Sequence, residues 1–350
     1  MQKKIIALAI ASALTVPAMA FAEATVTGQV NMSYDSYNNG VEAGSETSNQ
    51  LNSNNTRLIV KGSEDLGEGN SVIWQLDARV QADTGVNTST TANQLFAGNN
   101  YLGLKSDSMG SLMAGRMDAP YKVARRGLDV FYDIAGDNRA SNGANIAGLL
   151  YEDLRLNNAL AYMSPSMGGF TVALATPFGA ETSTSGTTKG SAYSLAGMYN
   201  AGPIYAEFGW QEIKYGTAGT GDLGASGTHA LDDKDDAMNI GGGYKTDQFT
   251  VNAMFEQTKY TYASGAPEDK RTNYYIGALF NVTPNDGIRA AYTKKGSTSG
   301  ATNDATQYAL GYVRTMSKTT SAYVSYVKTT DQAAAAADPS DISIGVKHSF

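Results

Sequence analysis

The sequence contains no cysteine and only two histidines, His229 and His348, among its 350 residues. The first absence excludes a disulfide frame and a thiolate metal site. The second leaves little for acid–base catalysis or metal ligation. No long basic run occurs, and Lys plus Arg number 26 against 33 Asp plus Glu, a formal charge of −7. Such a chain is a poor nucleic-acid binder, because neutralising phosphates needs clustered cations. Beyond residue 22 there is no apolar run of the roughly 18 residues that a membrane-spanning helix needs. These absences alone suggest a soluble exported protein; the periodicity of the chain says otherwise.

Residues 1–22 read as a secretory leader: Lys3 and Lys4 form the basic start, Ile5–Val16 the apolar stretch, and Ala20-Phe21-Ala22 the small-x-small cleavage site. The mature chain is expected at 23–350, one domain with a net charge of −9 once the two leader lysines are gone. From Ala24 onward, apolar and polar residues alternate in short stretches. Ser71–Val80 is the clearest: Val72, Trp74, Leu76, Ala78 and Val80 share one face, while Gln75, Asp77 and Arg79 occupy the other. A period of two is a strand signature, not a helical one.

Sixteen such stretches can be counted. Short turns rich in Gly, Pro, Asn or Asp alternate strictly with long polar ones near 38–55, 84–94, 117–155, 178–190, 216–236, 263–271, 295–306 and 329–340. A soluble sandwich has no reason to sort its loops in this way. A transmembrane β-barrel has short turns at one rim and long loops at the other, with an even strand number. In hydrocarbon every backbone N–H and C=O must be paired, so the sheet must close. A basic residue facing lipid at the midplane costs about 2–4 kcal/mol, and a one-residue slip would put Arg57, Lys61 and Arg79 there together. Leu58, Val60, Val72, Trp74, Leu76 and Val80 are therefore assigned to lipid or a subunit interface. Arg57, Lys61, Gln75, Asp77 and Arg79 are assigned to the lumen. Strict alternation from Leu112 and Ala114 would turn Arg116 outward unless a bulge intervenes.

The longest interruption is Asp118–Arg155. Before Asn145 it carries Asp118, Lys122, Arg125, Arg126, Asp129, Asp133, Asp137 and Arg139, four charges of each sign, and the aromatics Tyr121, Phe131 and Tyr132. Long loops in a regular meander are usually functional or disordered, and the embedded apolar residues argue for packing. Inside a wide barrel the segment is expected to narrow the passage, with opposed charges shaping ion movement.

Other features carry weaker signals. The run Asp232–Asp236 could bind a divalent cation, but reads more readily as a solvated external loop. Gly241-Gly242-Gly243 lies in a strand and suggests close approach of another segment. Ala333–Ala337 reads as a loop tip. His348 is expected at the membrane boundary. His229 has no nucleophile motif beside it, so an outer-membrane barrel enzyme is disfavoured, and an adhesin has little use for sixteen strands with an inward loop. A substrate-specific channel is the stronger rival, because Tyr121, Phe131 and Tyr132 could form a short aromatic track.

The strand Arg57–Lys61, the turn Gly62-Ser63-Glu64-Asp65-Leu66-Gly67, Trp74-Gln75-Leu76, Tyr101-Leu102-Gly103-Leu104-Lys105, Ala114-Gly115-Arg116 and the terminal Val346-Lys347-His348-Ser349-Phe350 together resemble the general bacterial porins of Gram-negative outer membranes. The resemblance covers the whole mature chain. It implies an all-β, 16-stranded transmembrane barrel assembled as a homotrimer in the outer membrane, with the third external loop folded inward. It implies passive diffusion of small hydrophilic solutes and ions, with no cofactor, metal or catalytic residue. The pore-lining set would be Arg57, Lys61, Asp77, Arg79 and Arg116 on the wall, with the eight charges from Asp118 to Arg139 on the loop. A second external loop around 86–90 would latch onto a neighbouring subunit, and Phe350 would serve as the barrel-assembly signal read by the insertion machinery. Lipid and lipopolysaccharide would surround the trimer. Two departures bear on the charge pattern: the loop is as basic as it is acidic, and Met113 stands where relatives carry a basic wall residue.

Overall fold

The computed structural model describes residues 23–41, 46–85, 95–139, 148–150, 154–178, 190–216, 229–298, 304–331 and 338–350. The expected leader at 1–22, the latching stretch at 86–90 and the alanine tip at 333–337 lie outside the described residues. The chain forms one closed antiparallel barrel of sixteen strands. They are β1 (Glu23–Asn38), β2 (in two segments, Thr47–Ser53 and Arg57–Gly67), β3 (Asn70–Arg79), β4 (Asn100–Ser106), β5 (Gly110–Asp118), β6 (Arg155–Met163), β7 (Phe170–Pro177) and β8 (Ser191–Ala201). The second half comprises β9 (Ile204–Lys214), β10 (Lys234–Lys245), β11 (Phe249–Thr261), β12 (Asp269–Asn281), β13 (Asp286–Lys295), β14 (Ala305–Thr315), β15 (Thr320–Asp331) and β16 (Ser340–Ser349). Each pairs with the next, and β16 returns to β1 from Gln29↔Ser349 to Asn38↔Ser340, so no edge strand remains among the described residues.

Burial is inverted relative to a water-soluble protein. Leu58 and Leu76 are 41% and 42% exposed, and Leu102, Leu104 and Leu112 also face outward, whereas Asn31 and Asp77 on the opposite parity are 0% and 2% exposed. Trp74 pairs with Leu102 and Val72 with Leu104, on the outer face. The alternation read from the sequence is visible here as exposed Leu58 and Leu76 against covered Asp77. The short turns follow local chemistry. Between β2 and β3, Glu68 (φ 53°) and Gly69 (φ 74°) both take positive φ, the pattern of a two-residue hairpin whose twist matches its strands.

Two features depart from simple alternation. The polar stretch expected as loop through Asn55 contains the first segment of β2, which pairs with the outer half of β1 from Met32↔Ser53 to Asn38↔Thr47. A strand there needs backbone pairing but no apolar face, so no pattern announced it. Asn55 (φ 56°) breaks the strand. Asn54 turns to Ser33 Oγ at 2.8 Å and Tyr323 Oη at 3.1 Å. The second departure is a bulge between Gly115 and Met117, where Gly115 takes φ 146° and the register to β6 shifts. It resets the parity of β5, so Arg116 is not on the lipid face. Its guanidinium reaches Asn157 and the Ala97 carbonyl, and its charged neighbours are Arg155, Asp118 and Arg79.

Candidate functional site

The segment between β5 and β6 runs inside the barrel. It starts with a single helical stretch, α1 (Pro120–Arg125), followed by a tighter turn over Arg126–Leu128. Pro120 suits the first helical position because its missing N–H would be unpaired there in any case. The helix lies against β8 and β9, with Tyr121 N–H donating to Ser194 Oγ at 3.0 Å. The chain then follows the inner wall as far as β1. Leu128, Phe131 and Ile134 pack with Met254, Tyr275, Ala291, Ala309 and Tyr323, and Leu128 and Phe131 are fully buried.

Small wall residues make this docking possible. A Cβ on Gly241 would stand 2.3 Å from Leu128 Cδ1, and one on Gly311 would stand 3.0 Å from Phe131 Cε1. The close approach expected at Gly241-Gly242-Gly243 is thus the seat of a loop leucine. Polar ties fix the rest. Asn252 donates to the Leu128 carbonyl at 2.8 Å, Arg289 donates to the Val130 carbonyl at 2.9 Å, and the Tyr275 hydroxyl receives the Val130 N–H at 3.0 Å. At the loop's base, Gly148 N–H donates to the Arg139 carbonyl at 2.9 Å, and Leu150 N–H to the Asn138 carbonyl at 3.0 Å.

The eight loop charges have unequal fates. Asp118 sits at the loop's origin between Lys122 at 3.2 Å, Arg155 at 2.9 Å and Arg126, and accepts a 3.0 Å hydrogen bond from Asn99. Arg125 is buried under the helix and joins Tyr121 in donating to Glu256 Oε2, both at 2.7 Å. Asp133, at a tip residue with φ 65°, reaches the β1–β2 wall. It accepts from Gln29 at 3.2 Å and Asn55 at 2.5 Å, and faces Arg57 at 3.5 Å and Arg139 at 2.9 Å. Burial alone would raise this carboxyl, but Arg139 and Arg57 outweigh it and hold it below the usual range. Asp137 is fully buried and meets Arg139, whose guanidinium also lies 4.0 Å from the Tyr132 ring centre. Asp129 accepts from the N–H groups of Phe131 and Asn138, both at 2.8 Å, and from the Tyr275 hydroxyl at 3.2 Å. Its enclosed position and the nearby Asp137 carboxylate push it up to about 8.

Arg125 and Arg139, expected at the aperture, therefore belong to the seam between loop and wall. Each was drawn there by a buried carboxylate that could not stay ionised without a cation. A second group of charges lies on the wall of β2, β3 and the start of β6, facing the loop. Arg57 and Arg79 are directly opposed across β2 and β3, a like-charge pair that is unfavourable unless compensated. Asp133 faces Arg57, while Asp77 at 2.9 Å and Asn55 meet Arg79. Lys61 shares their parity, four pairs nearer the short-turn rim, and makes no ion pair with the loop among the described residues. The side chains of Arg126, Arg57 and Arg155 keep 39%, 23% and 19% of their surface, whereas those of Asp118 and Asp133 keep 2% and 1%.

Tyr121 and Phe131 are fully buried and Tyr132 is half-buried, so the three aromatics do not form an open track. Several residues escaped the sequence reading: Arg155, Glu256, Tyr275, Arg289 and Lys347. All sit on strands; Arg155 closes the loop segment itself, whereas what faces the other four comes from a loop far away in sequence. Nearer the short-turn rim, Arg289, Lys318 and Lys347 line a cavity of about 330 Å³ with Tyr132, Tyr323 and several serine and threonine hydroxyls. At the outer rim His229 stacks on Tyr215 at 3.7 Å and its Nδ1 lies 2.8 Å from the Tyr260 hydroxyl, which donates to Asp233 at 2.5 Å. Asp233, from the acidic run read as an external loop, also accepts from the N–H groups of Ala230 and Ala263, so it orders the loop base.

Comparison with known proteins follows the same lines. A family model described as Gram-negative porin matches residues 7–334. Outer membrane porin protein 32 of Delftia acidovorans is 25% identical, with 100% of each chain covered. Major outer membrane protein P.IB of Neisseria gonorrhoeae is 25% identical over 93% of this chain and 92% of its own. Among solved structures, an anion-selective porin from Comamonas acidovorans superimposes with a TM-score of 0.75 at 20% identity, covering 94% of this chain and all of its own.

Proposed function

The chain belongs to the Gram-negative porin family, an outer-membrane channel for passive diffusion, and from that premise we propose that its aperture favours small anions. One observation carries the reading. Most loop carboxylates are turned into the seam and matched by cations, while Arg57, Arg126 and Arg155 keep surface toward the opening. Asp129, whose carboxyl is pushed up by its enclosed position and by Asp137, contributes less opposing charge than an ordinary carboxylate. A guanidinium about 5 Å from a passing ion in water contributes about 0.8 kcal/mol, roughly fourfold in local anion concentration. The basic cavity of Arg289, Lys318 and Lys347 continues the same sign toward the short-turn rim. The anion selectivity named for the Comamonas porin is consistent with this reading.

The site residues we assign to the aperture are Arg57, Arg79, Arg116, Arg126 and Arg155, with Lys61 further along the wall and Asp77, Asp118, Lys122 and Asp133 as their compensating or supporting charges. We read the protein as a homotrimer, as one of its structural neighbours is in its trimer form, and as a channel that performs no catalysis. The burial of Tyr121 and Phe131 argues against a substrate-specific aromatic track. Planar-bilayer recording in a KCl gradient tests the sign. Wild type should give a reversal potential of anion sign. Arg57→Ala with Arg126→Ala should lower the chloride-to-potassium permeability ratio about sixteenfold or more if the two contributions of about 0.8 kcal/mol add. A cation-selective wild type, or an unchanged ratio in the double variant, would refute the assignment.

A further inference from the structure

Behind α1 the wall carries a group of polar side chains that the channel does not use. On the lumen face of β9, Glu207 and Gln211 flank Gly209, which pairs with Asn239 of β10. Gly209 leaves room for the Asn239 amide: a Cβ there would stand 2.6 Å from Asn239 Oδ1. Asn239 therefore lies over Gly209, between the other two. Glu207, Gln211 and Asn239 are 4%, 1% and 0% exposed. Neither carboxylate oxygen of Glu207 nor either polar atom of Gln211 has a hydrogen-bond partner among the described residues, and the Asn239 amide is met there by the Tyr121 hydroxyl alone. Leaving this many polar atoms unsatisfied in one place is costly, and such groups are normally met by water or an ion.

The charges narrow the choice. Glu207 feels both Arg125 and Glu256, but Arg125 is committed to Glu256 at 2.7 Å. Two carboxylates and one guanidinium leave a single net negative charge. The oxygens that converge here, from one carboxylate and two amides, are hard donors suited to alkali and alkaline-earth cations rather than soft metals. A divalent ion would overcompensate beside Arg125. We propose that Glu207, Gln211 and Asn239 hold a partly hydrated alkali cation behind the constriction loop, and that this ion helps seat α1 against the wall. The amide nitrogens then donate to waters of the ion. A pore whose aperture favours anions thus keeps a resident cation on the other side of its loop.

The test is thermal unfolding of the purified porin in detergent, followed by its β-sheet circular dichroism. It is run at equal ionic strength in NaCl, KCl and N-methylglucamine chloride, whose cation is too large for the nest. Wild type should unfold several degrees higher in at least one alkali salt than in N-methylglucamine, and Glu207→Gln should abolish that difference while keeping its β spectrum. Equal unfolding temperatures in all three salts would overturn the proposal, as would a salt difference that survives in Glu207→Gln. Stability that follows pH but ignores the cation would mean that a proton occupies the nest, and would equally overturn it. Should Glu207→Gln fail to fold, crystals of wild type soaked in thallium decide the matter. An anomalous peak within bonding distance of Glu207 and Asn239 supports the site; its absence refutes it.

Discussion

Replacing Gly241 by valine tests whether the loop is held by shape. The Cβ of any side chain at 241 would fall 2.3 Å from Leu128 Cδ1 and 2.7 Å from Glu207 Oε1. Alanine could be absorbed by rotating the leucine, but valine adds two further methyl groups on the lumen side. Overpacking of this kind costs about 1–3 kcal/mol. Full burial of Leu128 contributes about 1.5–3 kcal/mol, so the strain is comparable with what that residue supplies to docking. Each 1.4 kcal/mol is tenfold in an equilibrium constant, which puts the loss of docking at roughly 5- to 150-fold. The ladder is untouched, because the backbone N–H and C=O groups of β10 keep their partners in β9 and β11. The barrel should fold, and single-channel recordings should show higher and noisier conductance. Gly242→Val is the control: its side chain would point outward, on the parity of the exposed Ile240 and Tyr244. Identical recordings for Gly241→Val and wild type would refute the docking argument, as would an equal effect of Gly242→Val.

Three further outcomes can be measured. Asp129 stays protonated in the docked loop up to about 8, but near 3.9 in a released one, so docking weakens as pH climbs between those values; channel noise should rise from pH 5 to 9, and Asp129→Asn should flatten the curve. Asp233 is shifted the other way, its carboxyl held low chiefly by the Tyr260 hydroxyl, so its share of the outer-rim order persists above the usual carboxylate range and disappears only on acidification through its lowered value. Tyr260→Phe should raise protease cleavage near residue 229 at neutral pH, and unchanged cleavage would show that the His229–Tyr260–Asp233 chain does not hold that loop. Phe131→Ala should cost about 3–5 kcal/mol of docking and increase conductance without altering strand content by circular dichroism.

Much of the barrel was legible because its physics repeats. Where one face meets hydrocarbon and the other water, as in Val72–Val80, period two is forced on every strand and the positions of Asp77 and Arg79 follow. The signal fades where that constraint ends. Thr47–Ser53 pairs with β1 without an alternating face, and the Gly115 bulge inverts parity in the one place where Arg116 needed it. Inside the loop, adjacent residues separate completely: Arg125 is buried against Glu256, while Arg126 keeps 39% of its side-chain surface. Nothing local distinguishes them, because the carboxylate that decides between them lies 131 residues away.

The balance of loop charges illustrates why counting fails. Four acids against four bases predict no field, and the whole chain is acidic. A passing ion feels charges weighted by distance and by screening of about 10 Å at 0.1 M salt, not their sum over the molecule. The seam between loop and wall filters the set. Carboxylates enter it because tip and helix pack inward, and each ionised one draws a cation after it, as Asp133 draws Arg139 and Glu256 draws Arg125. Asp118 gathers three cations about one charge, which leaves a local surplus of positive charge beside the opening. Arg57 and Arg79 stay on the wall by register alone. The sign of the aperture is thus a consequence of packing: apolar docking by Leu128 and Phe131 decides which face of the loop is buried, and with it which charges remain for solutes to meet.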